Sequence, residues 1–112
     1  MAKKIKTKAD EYKDVFIKLH KLQRLKGCDN LILLLTRYIR GKADYMANYI
    51  NLVAERTGVC PTGYITTTNR DIMKPVVKEI VTIETGIEPL DKDIDKGWEA
   101  FIDDYRNHNI KY

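Results

Sequence analysis

Cysteine, proline, phenylalanine and tryptophan are scarce in this chain, though tyrosine, with seven residues, is not. It has two cysteines, three prolines, two phenylalanines and one tryptophan in 112 residues. Cys28 and Cys60 lie far apart and neither sits in a CxxC pair, which argues against a disulfide framework and for two free thiols in a reducing compartment. The longest purely aliphatic run, Leu31 to Leu35, is far too short to cross a bilayer. The lysines of MAKKIKTKAD are followed by no apolar stretch, so no signal peptide is expected. A cytoplasmic protein with no membrane partner follows. No GxSxG, GxxxxGK or GxGxxG motif is present, which lowers the case for an enzyme.

What is present suits one folded domain. Hydrophobic residues make up 44% and charged residues 32%, a globular rather than a disordered balance. The net charge of +4 is unevenly spread. Residues 1–26 carry +6, and residues 88–112 carry −3. A basic front attracts nucleic acid or another acidic surface. Residues 1–8 read as a flexible basic arm, and residues 9–112 as a single domain.

Apolar periodicity predicts five helices. Tyr12, Val15, Phe16, Leu19, Leu22 and Leu25 form one face of a helix over 9–26 that ends at Gly27. Asp29 is placed to cap a second helix, Leu31 to Ile39, which is apolar nearly all round and reads as the central core helix. Asp44 is placed to cap a third, with Tyr45, Met46, Tyr49, Ile50 and Val53 on one face, up to Gly58. Tyr64 to Thr68 favours a short strand. Asn69 or Asp71 starts a fourth helix, with Pro75 expected in its first turn, closed by Gly86. A fifth runs from about Pro89 to Arg106, with Leu90, Ile94, Trp98, Phe101, Ile102 and Tyr105 inward. Residues 109–112 suit a last short strand. The fold class is therefore mainly α with a minor β component.

The last two predicted helices are joined by Thr85-Gly86-Ile87-Glu88-Pro89, the sequence form of a helix-turn-helix. VVKEIVTIETGI followed by IDKGWEAFIDDYRNHNI resembles the winged-helix domains of phage and plasmid replication and regulatory proteins. The likeness spans roughly 29–112 and is firm over 76–110. It implies a DNA-binding protein of replication or transcription regulation. The helix from Pro89 would be the recognition helix, with Lys92 and Lys96 near base edges. Arg70, Lys74, Lys78 and the arm residues Lys3, Lys4, Lys6 and Lys8 would meet phosphates. Two departures stand out. Only seven residues follow Tyr105, so the wing is truncated. The recognition helix is also acidic: Asp91, Asp93, Asp95, Glu99, Asp103 and Asp104 oppose Lys92, Lys96 and Arg106.

Other sites are weaker. Leu52 to Val59 resembles a second helix-turn-helix start, but CPTGYITTTN after it is a poor recognition helix. Asp91-x-Asp93-x-Asp95 lacks the Gly and Glu that a calcium loop needs. His20 and His108 have no flanking ligand pattern and read as surface or rim residues. Neither a cofactor nor a metal is expected. The alternative to DNA is a non-enzymatic interaction module, an inhibitor or adaptor. Its acidic last helix would be a ridge for a basic protein partner. The oppositely charged halves also suit a homodimer.

Overall fold

A computed structural model describes residues 6–40 and 43–112. Five α-helices are found among them: α1 (Lys8–Lys26), α2 (Leu31–Tyr38), α3 (Met46–Thr57), α4 (Arg70–Thr85) and α5 (Asp91–Arg106). A single turn of 3-10 helix, Ala43–Tyr45, leads into α3. The chain is thus mainly α. None of the described helices is long and apolar enough to cross a membrane.

The helix ends follow local chemistry. Thr7 caps α1 in a reciprocal box, its hydroxyl accepting from the Asp10 amide while the Asp10 carboxylate accepts from the Thr7 amide. Gly27, Gly58 and Gly86 terminate α1, α3 and α4 in the left-handed conformation, as the sequence predicts. The caps of α2 and α3 differ from expectation. Asn30, not Asp29, accepts from the Leu33 amide at 2.9 Å. Asp44 lies inside the 3-10 turn, and Tyr45 caps α3 with no side-chain bond. Pro75 is the sixth residue of α4 rather than a first-turn residue. The helix runs through it, forgoing the bond from that position to the Asp71 carbonyl.

Neither expected strand forms. Among the described residues the only β pairing is an isolated antiparallel bridge between Asn30 and Tyr64. The 64–68 segment satisfies its backbone another way. The Ile65 amide donates to the Asp29 carbonyl at 3.0 Å. The Gln23 side chain of α1 then clamps both ends of the next stretch, donating to the Ile65 carbonyl at 2.8 Å and accepting from the Thr67 amide at 3.1 Å. With those groups taken by a side chain, no ladder is needed. After α5 the chain turns at His108 (φ 57°) and folds back on the core. There Ile110 is buried, so this segment is a packed tail rather than a wing.

α1 and α5 pack side by side along their lengths, and they run parallel. Tyr12 meets Gly97, Phe16 meets Trp98 and Phe101, and His20 meets Phe101 and Tyr105 in step. The Phe16 ring sits edge-on to Trp98 with centroids 5.3 Å apart and stacks on Phe101 at 5.8 Å. Around this seam Leu19, Leu31, Leu34, Leu35, Val53, Met73, Val76, Val77 and Ile80 complete one core. α2 is buried on one side only: Leu31, Leu34 and Leu35 face in, whereas Ile32 and Leu33 are exposed. It is a flanking helix, not the central one. On α5, Ile94, Trp98 and Phe101 are buried as expected, but Leu90 and Tyr105 are exposed.

His20 is buried, against its expected rim position. It belongs to a hydrogen-bonded chain whose directions are fixed by one end. The Thr67 hydroxyl donates to Gln23 Oε1. It must therefore accept from His20 Nδ1–H, 3.0 Å away. His20 Nε2 is left to accept from the Tyr112 hydroxyl at 2.6 Å. This neutral tautomer satisfies every member of the chain. Burial, with a smaller contribution from Arg24, holds the His20 pKa below its ordinary value.

Candidate nucleic-acid interface

The helix-turn-helix candidate is α4, the turn around Gly86, and α5. A groove of about 730 Å³ runs beside α5, lined by Arg70 and Lys74 of α4 and by Asp95, Lys96, Glu99, Asp103 and Arg106 of α5. A second, of about 480 Å³, lies between Lys78, Pro75 and Asp91 further along. Both are charged and open, and in both the two signs are interleaved.

Most of the expected phosphate contacts are engaged with carboxylates of the same chain. Lys78 Nζ lies 2.7 Å from Asp91 and 3.2 Å from Glu88. Hydrogen bonds to these two carboxylates push its pKa up, and the same lysine holds the Asp91 carboxyl below its ordinary value. Lys74 pairs with Asp95. Arg70 lies 3.4 Å from Asp71. Of the lysines expected in a flexible arm, Lys6 precedes the Thr7 cap and pairs with Asp14 at 2.6 Å, and Lys8 is the first residue of α1 and pairs with Glu11 at 3.4 Å. Lys3 and Lys4 lie outside the described residues. Lys92 and Lys96 are exposed on the outer face of α5, and neither is ion-paired among the described residues. Exposed pairs of this kind contribute roughly 0–1 kcal/mol each. They can open, but each opening presents a carboxylate beside the incoming phosphate. On this face Asp71, Glu88, Asp91, Asp95, Glu99 and Asp103 are balanced by Arg70, Lys74, Lys78, Lys92, Lys96 and Arg106, so the local field is near neutral rather than attractive.

The basic surface lies elsewhere. From residue 15 to residue 40 the chain carries Lys18, Lys21, Arg24, Lys26, Arg37 and Arg40 against Asp29 alone. These six cations occupy the second half of α1, the exposed side of α2 and the turn after it. Among the described residues none of the six forms an ion pair. Two are held by aromatic rings instead. Lys18 Nζ lies 4.4 Å from the Tyr38 ring centroid, and the Arg24 guanidinium 4.8 Å from that of Tyr112. A ring steadies a cation without neutralising it. The sequence carried a signal for this surface, a stretch with four cations and no acid between Val15 and Cys28.

No protein family, no curated protein and no solved structure matches this chain.

Among the described residues no group of three or more His, Cys, Asp or Glu is placed to hold a metal ion. His20 has both ring nitrogens committed to Thr67 and Tyr112. Cys28 is buried and Cys60 exposed, both as free thiols. A hydrogen bond from the Thr62 hydroxyl is the main cause of a lowered Cys60 pKa. Among the described residues no general base is hydrogen-bonded to it.

Proposed function

We propose that this chain is a non-enzymatic nucleic-acid-binding domain, a helix-turn-helix protein of winged-helix type whose wing is lost. α4 and α5 form the helix pair, with Lys92 and Lys96 on the outer face of the first turns of α5. Most of the phosphate attraction comes from α1 and α2. The observation that carries this reading is the distribution of ion pairs. Cations of α4 are tied to acids of α4, α5 or the turn between them, whereas among the described residues the six cations of residues 15–40 have no ionic partner. A cation already neutralised gains little from a phosphate, and an unneutralised one gains fully.

The test is fluorescence anisotropy with labelled random duplex DNA across a salt series. If about four cations meet phosphates, log affinity falls with log salt at a slope of roughly −3.6. Affinity then drops about 150-fold from about 50 to about 200 mM salt. The triple variant Lys21→Glu, Lys26→Glu, Arg37→Glu, all at positions without ion pairs, should lose most of the binding. Absence of binding at low salt, or a triple variant that binds like the parent, overturns the proposal.

A second reading has its own observation. Glu99 and Asp103 are exposed on α5 with no ion pair among the described residues, as a ridge for a basic protein requires. The two readings give opposite signs. Glu99→Lys with Asp103→Lys should tighten DNA binding under the first and abolish partner capture under the second.

A further inference from the structure

On the side formed by α3 and α4 lies a cavity of a different character. It measures about 440 Å³ and is lined by Tyr45, Asn48, Tyr49 and Leu52 from α3 and its approach and by Ile83 and Glu84 from α4. That volume suits a small ligand. Its walls are mainly apolar and aromatic, and Glu84 is its one charged group. The Tyr45 ring is 64% exposed. Tyr49 is only 4% exposed, and its buried hydroxyl lies near the Glu84 carboxylate without a well-formed hydrogen bond among the described residues. Buried hydroxyls are nearly always bonded, so an unfilled one beside a cavity marks a place where a polar group is expected. Nearby, the Tyr38 hydroxyl reaches Glu84 Oε2 only at a long 3.3 Å. Burial, then the Glu84 carboxylate, pushes the pKa of both Tyr38 and Tyr49 far up. Both stay neutral phenols at any physiological pH.

We propose that this cavity binds an organic ammonium group, held by the exposed Tyr45 ring and the Glu84 carboxylate, with the buried Tyr49 beneath them. The lining selects the charge. An anion would meet Glu84 with no cation to offset it. A neutral apolar ligand would cover the carboxylate and leave its charge with only the Tyr38 hydroxyl to offset the lost water, which is costly. A cation satisfies the carboxylate and is drawn to aromatic faces as well. Leu52 and Ile83 provide contact for alkyl groups on nitrogen, and Asn48 offers an amide to a polar tail. None of the residues lining the cavity belongs to the outer face of α5 or carries the basic charge of α1 and α2, although Tyr38 links the two regions by bonding Glu84 and holding Lys18 on its ring.

The test is an amide NMR titration of the full chain at constant ionic strength. The probes are choline and its neutral tert-butyl isostere. Choline is expected to give saturable shifts centred on Tyr45, Asn48, Tyr49 and Ile83, and the isostere at least about tenfold weaker binding. Glu84→Gln keeps an acceptor for Tyr38 and should weaken choline by about tenfold, while Tyr45→Ala, at an exposed position, should weaken it about threefold to fivefold. Equal binding of choline and isostere overturns the proposal. So does the absence of saturable shifts, or unchanged choline affinity in Glu84→Gln.

Discussion

The parallel seam between α1 and α5 makes a sharp prediction at Gly97. This glycine is buried in mid-helix, where helix propensity alone favours alanine by about 1 kcal/mol. The tertiary structure opposes that preference. A Cβ at Gly97 would stand 2.9 Å from Tyr12 Cβ, 3.2 Å from the Ala9 carbonyl oxygen and 3.2 Å from the Lys13 amide nitrogen. Carbon atoms in ordinary contact are about 3.5–4.0 Å apart. Two of the three neighbours are α1 backbone, so no side-chain rotation relieves the contact. α1 would have to retreat, loosening Phe16 from Trp98 and Phe101. Overpacking of this kind costs roughly 1–3 kcal/mol. After the propensity gain, Gly97→Ala should destabilise the fold by about 1 kcal/mol, and up to about 2. The thermal midpoint should fall by roughly 4 °C per kcal/mol. Urea unfolding followed by circular dichroism is the assay, with a lower midpoint and an unchanged slope expected. Gly97→Ser should be worse. If Gly97→Ala is as stable as the parent or more so, the close approach of α1 and α5 is wrong.

Two further predictions concern buried groups. The pKa of His20 is held below its ordinary 6.5, so the native chain binds fewer protons than the unfolded chain under acid conditions. Stability should therefore decline as pH falls below about 6.5, continuing until the folded His20 itself titrates. His20→Gln should remove that part of the pH dependence in urea midpoints measured at about pH 7.5 and about pH 5.5, and an identical slope in both proteins would count against the buried relay. For the thiols, an aromatic disulfide reagent should modify exposed Cys60 quickly in the native protein and buried Cys28 only on unfolding. Equal rates would show that Cys28 is not enclosed.

What local chemistry controls was legible in the chain. Helices α1, α3, α4 and α5 lie close to their predicted spans, because apolar spacing and the terminal glycines at Gly27, Gly58 and Gly86 act within a few residues. The order of the helix-turn-helix candidate and the placement of Lys92 and Lys96 on the outer face of α5 followed from the same periodicity. Three matters were decided only by the tertiary structure. The 64–68 segment has strand-like composition, but whether it becomes a strand depends on partners. Gln23, from a distant part of the chain, takes its backbone groups instead. His20 looked like a rim residue because nothing near it in sequence explains its burial. Thr67 and Tyr112 arrive from elsewhere to satisfy both nitrogens. The sites themselves divide the same way. Sequence counts charges, but only the fold pairs them. It sets Lys74 and Lys78 against Asp95 and Asp91 and Lys13 of α1 against Asp104, while among the described residues the six cations of residues 15–40 form no ion pair.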